Sequence, residues 1–83
     1  MLEAEKQFLE ELVNIQEIAV AFAGASQLEQ EAACAVSYES IYRIMELLDG
    51  YRGLDLVLMD RKTKQPLFEQ IELHDKIADY LKP

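Results

Sequence analysis

A single cysteine, Cys34, and a single histidine, His74, are all that this 83-residue chain offers to thiol or imidazole chemistry. One cysteine rules out an internal disulfide framework. A structural zinc site takes about four nitrogen or sulfur donors, which this pair cannot supply. Basic residues are scarce as well: eight lysines and arginines stand against sixteen acids, for a net charge of −8. Binding to nucleic-acid phosphates relies on basic patches, so nucleic acid is excluded as a direct partner, and an anionic membrane surface with it. Glycines number three. The pair in Gly50-Tyr51-Arg52-Gly53 has neither the lysine of a phosphate loop nor the spacing of a dinucleotide fingerprint. No apolar run is long enough to span a bilayer. The start of the chain, Met1-Leu2-Glu3-Ala4-Glu5, lacks the basic region and apolar run of a secretory signal, so a cytoplasmic location is expected.

These absences leave little room for catalysis. Cys34 falls on an apolar helix face and nothing in the sequence orients the His74 imidazole, so the two are not expected to form a nucleophile and base. Glu72, His74 and Asp75 are close in sequence, but helical spacing would not converge all three on one point. No catalytic residue, metal ligand or cofactor is therefore assigned. No residue motif places the chain in a family.

What the sequence does contain is helix. Leu28 to Leu48 carries Cys34, Ser37, Ile41, Ile44, Met45 and Leu48 at the spacing of one face, with Tyr38 and Tyr42 beside it. The apolar arc is wider than one contact requires, which puts this helix in the middle of the molecule. Ser26-Gln27-Leu28-Glu29 reads as a capping box at its start, and Asp49-Gly50 as its stop. The small residues of Glu31-Ala32-Ala33-Cys34-Ala35 allow close approach by another helix. A first helix is expected over 2–23. Phe8, Leu12, Ile15, Ala19 and Phe22 step by four, three, four, three and form its seam. Only Gly24 and Ala25 precede the cap residue Ser26, so the two helices must run antiparallel.

Beyond the second glycine, Leu54 to Met59 and Pro66-Leu67-Phe68 flank the polar run Asp60 to Gln65. This pattern predicts a small β-hairpin over about 54–69, with a short helix at 54–62 as the alternative. Leu73, Ile77, Tyr80 and Leu81 then line a short terminal helix over about 72–82. The expected fold is a single α+β domain over 1–83, mostly helical, built as a long helix hairpin, a small β-hairpin and a short C-terminal helix. An all-α fold is the alternative.

About half of the residues are apolar, generous for a chain that buries roughly 60–65% of its unfolded surface. Surplus apolar surface points to a homodimer that acts through protein contacts. The expected interface is the apolar end of the first helix, at Phe22, with the Tyr38, Tyr42 and Met45 side of the second. On this reading Ile41→Asp or Phe22→Asp gives an unfolded or insoluble chain, whereas a charge at Tyr42 only weakens association. Charge supplies the alternative. Residues 1–50 carry ten acids against Lys6 and Arg43, while 51–83 are neutral. Such a face suits an acidic inhibitor or immunity-type protein that blocks a basic, nucleic-acid-binding partner. The one basic cluster, Arg61, Lys62 and Lys64, sits on the expected turn.

Overall fold

The computed structural model describes all 83 residues. Two long helices, α1 (Glu3–Ala23) and α2 (Gln27–Leu48), form the antiparallel hairpin. A two-stranded antiparallel ribbon follows, β1 (Leu58–Asp60) with β2 (Gln65–Leu67), and then a short helix α3 (Leu73–Lys76) that tightens into one 3₁₀ turn over Ile77–Asp79. The α+β reading holds, and the all-α alternative does not.

Local chemistry accounts for the helix ends. The Ser26 hydroxyl accepts from the Glu29 amide at 3.1 Å and donates to Glu29 Oε1 at 2.7 Å. At the other end of α2, the amide of Tyr51 reaches the Glu46 carbonyl at 3.0 Å and that of Gly50 reaches Leu47 at 3.2 Å. This is a Schellman stop, and its left-handed position is filled by Gly50 at φ 91°. Asp49 is thereby left as the C-cap residue just after α2, with its side chain free to act elsewhere.

The ribbon is shorter than the expected hairpin. Leu58 pairs with Leu67 and Asp60 with Gln65, but Leu54 to Val57 lie outside the ribbon. The return strand is the limit: after Leu67, Phe68 turns away with φ 58°. That conformation is costly for a bulky residue. Two contacts hold it. The Phe68 amide donates to Glu5 Oε2 at 2.6 Å, and the ring packs edge-on to Phe8 at 5.6 Å.

The core lies between the helix hairpin and the C-terminal segment. Leu9 and Leu12 of α1 and Ile41 and Met45 of α2 meet Leu67, Phe68, Leu73, Ile77 and Leu81. Fully burying a side chain of this size contributes about 1.5–3 kcal/mol. The face of α1 that is buried is thus Glu5, Leu9, Leu12 and Gln16, not the expected seam. That seam is split: Leu12 is inside, but Ile15 is 52% exposed and Phe22 88% exposed. Ile44 of α2, also expected inside, is 52% exposed. Because Phe22 touches so little of its own chain, Phe22→Asp should leave the fold intact, which reverses the sequence-based expectation.

Two buried polar side chains of α1 fasten the second layer. Glu5 holds the amides of Leu2, at 2.7 Å, and Phe68. Gln16 pairs with the Lys82 backbone, donating to its carbonyl at 2.5 Å and accepting from its amide at 2.8 Å. Replacing Glu5 with alanine leaves a buried amide without a partner, a loss of about 1–3 kcal/mol. Urea unfolding of Glu5→Ala should show that loss as a lower midpoint with an unchanged slope, whereas Glu3→Ala, one turn-edge away in water, should unfold like the parent.

Candidate functional site

The densest polar chemistry sits where α2 stops and α3 starts. Asp49 projects from the Schellman turn and its carboxylate accepts from the amides of Leu73 at 3.0 Å and His74 at 2.9 Å. It therefore caps α3 from 24 residues upstream. The same carboxylate lies 2.6 Å from His74 Nδ1. The imidazole is 6% exposed and sits between two aromatic rings, Tyr51 at 4.7 Å and Tyr42 at 5.5 Å, each edge-on.

The far nitrogen of this ring looks outward. His74 Nε2 is 3.5 Å from Glu72 Oε2 and 3.4 Å from Asp75 Oδ1. Tyr51 donates its hydroxyl to Glu72, 2.8 Å from both oxygens. The hydrogen bond to Asp49 raises the His74 pKa above the ordinary imidazole value, burial opposes it, and the Asp75, Asp49 and Glu72 charges add to the rise. Tyr51 is pushed up to about 12, chiefly by its hydrogen bond to Glu72, with partial burial and the nearby acids contributing.

The donor atoms of Glu72, His74 and Asp75 all lie within 4.8 Å of one another. This corrects the expectation that helical spacing would keep them apart. Glu72 is not helical: it is the extended residue before α3, at φ −81° and ψ 122°, so its side chain turns back over the first turn. A crevice of about 440 Å³ adjoins the cluster and shares Asp49 and Glu72 with it; Leu48, Leu56, Leu58 and Phe68 also line it.

Cys34 is elsewhere. It is half-buried beside Gln16, Tyr80 and Lys82, and stands fifteen residues before Asp49, or about 22 Å along α2. The structure does not bring Cys34 and His74 together. Of the expected interface residues, Met45 is 2% exposed and belongs to the core of a single chain. Tyr38 and Tyr42 are half-buried, stack on each other at 6.4 Å and pack against the core, Tyr42 against His74 as well. Phe22 alone of the four is free at the surface. Arg61, Lys62 and Lys64 are exposed on the ribbon loop.

Asp49 holds three donors from a site that is almost closed to solvent. Hydrogen bonds to a charged group contribute about 1.5–3 kcal/mol each, without full additivity. Asp49→Ala should therefore cost about 2–4 kcal/mol, and hydrogen exchange should speed up at the amides of residues 73–77 before it does in α1. Comparison with known proteins gives this arrangement no name: no family model, curated protein or solved structure matches the chain.

Proposed function

We propose that the chain is a non-catalytic, self-associating domain, and that two copies pair through the uncovered face of the helix hairpin. The single observation that carries this reading is that only one face of the hairpin is covered. The C-terminal layer packs on the Val13, Gln16 and Val20 side of α1 and on the Tyr38 and Tyr42 side of α2. At 100° per residue, Ile15, Ile18 and Phe22 lie on the opposite side of α1, and Val36, Ser40 and Ile44 on the opposite side of α2. The five apolar residues are each more than half exposed, and Ser40 is exposed with them.

Size supports the same reading. The molecule measures 43 × 27 × 18 Å with a radius of gyration of 14.0 Å, against roughly 12 Å for a compact chain of this length. Its surface is 5872 Å², where a monomer of this mass exposes about 5,000 Å². The excess reflects the elongated, two-layer shape, which leaves a broad face that a partner can cover. Shape supports it too. The exposed apolar side chains of α1 run beside Val36 and Ile44 of α2, with the smaller Ser40 between them. A two-fold axis sets this face on its copy and closes a four-helix bundle. The interface drawn from sequence at Phe22, Tyr38, Tyr42 and Met45 keeps Phe22 and moves from the tyrosines to Ile15, Ile18 and Ile44.

Light scattering on a sizing column should give twice the 9.5 kDa chain mass, insensitive to salt, because the face is apolar. Phe22→Glu and Ile15→Glu should each shift the mass to that of one chain with helical circular dichroism unchanged. A parent that stays monomeric at high concentration, or a Phe22→Glu variant that stays dimeric, overturns the reading. In the first case a basic partner becomes the occupant to seek, as the acidic-inhibitor alternative expects.

A further inference from the structure

We propose that Glu72, His74 and Asp75 form a binding site for one divalent transition-metal ion, with Zn²⁺ the fitting ion. It is independent of self-association. Spacing is the first support. Zinc takes imidazole nitrogen and carboxylate oxygen at about 2.0–2.2 Å in a tetrahedron, whose edges are then about 3.3–3.5 Å. The two edges that His74 Nε2 makes with Glu72 Oε2 and Asp75 Oδ1 are 3.5 and 3.4 Å. These are long for direct hydrogen bonds and right for two ligands that share an ion.

The second support is the ring itself. His74 is buried, its Nδ1 is held by Asp49 at 2.6 Å, and its Nε2 has no hydrogen-bond partner while it faces two carboxylates. A carboxylate on one imidazole nitrogen with a metal on the other is the arrangement that fixes the tautomer and strengthens the ligand. Asp49 is itself fixed by two backbone amides, so the ring is oriented before any ion arrives. Tyr51 plays the same part for Glu72 through its hydroxyl. The acids that surround Nε2 supply two negative charges to offset the ion. Three protein ligands leave one tetrahedral position for water. Glu72 and Asp75 are largely exposed, so the ion has an open path in.

The test is titration of Zn²⁺ into the full chain, by calorimetry and by nitrogen NMR of the imidazole, with Co²⁺ absorption to report geometry. One ion per chain should bind, the His74 Nε2 resonance should move, and Co²⁺ should show a tetrahedral spectrum. Glu72→Gln and Asp75→Asn lie at the surface and should fold normally while each weakens binding at least tenfold. His74→Gln should abolish it. Cys34→Ser should leave affinity unchanged. Unaltered affinity in both Glu72→Gln and Asp75→Asn, or binding lost in Cys34→Ser but kept in His74→Gln, overturns the site.

Discussion

The C-terminal third of this chain cannot satisfy its own backbone, and the structure depends on how that need is met. A ribbon of three-residue strands and a four-residue helix leave many amides without a partner in regular structure. Three polar side chains of the long helices supply what is missing. Glu5 takes the amide of Phe68, Asp49 takes those of Leu73 and His74, and Gln16 takes both backbone groups of Lys82. Buried backbone groups must be paired or they cost about as much as a lost hydrogen bond. The three clasps are spaced along the layer, so Leu67, Phe68, Leu73, Ile77 and Leu81 are all presented to the helices at once. Apolar burial gives the layer its affinity for the hairpin, and the clasps give it one position.

The same device explains why the molecule is lopsided. Every clasp lies on one side of the hairpin, so only that side gains a covering layer. What remains on the other side keeps Ile15, Ile18, Phe22, Val36 and Ile44 in water. A two-layer slab 18 Å thick is what one chain builds; in the proposed dimer a second chain would cover the open face. Asp49 stands at the meeting point of these effects. It ends one helix, starts another and holds the imidazole that is proposed to bind a metal ion, so fold and site rest on one carboxylate.

Much of this was legible in the residues. Ser26 and Glu29 mark the start of α2, and Asp49-Gly50 its end, because capping chemistry is local and each partner lies within a few positions. The antiparallel hairpin follows from a connection too short for any other arrangement. The β-ribbon and the terminal helix were also anticipated, though both came out shorter. Packing was harder to read. The seam Phe8, Leu12, Ile15, Ala19, Phe22 is the best apolar repeat on α1, yet only Leu12 of it is buried, together with Glu5, Leu9 and Gln16. A repeat identifies an apolar face but does not say which partner covers it. Met45 and Tyr42 were read as interface for the same reason.

Composition, periodicity and capping residues determined the class of fold, the bounds of the two long helices and the acidic character. These depend on neighbours in sequence and on the preferences of single residues. Only the tertiary structure decided which face is covered, and it turned Glu5, Gln16 and Asp49 from surface polar residues into buried clasps. It also brought Glu72 back beside His74 and Asp75. The physical reason is distance along the chain: the partners are 63, 66 and 24 residues apart, and no local pattern records a contact that forms only when two layers meet.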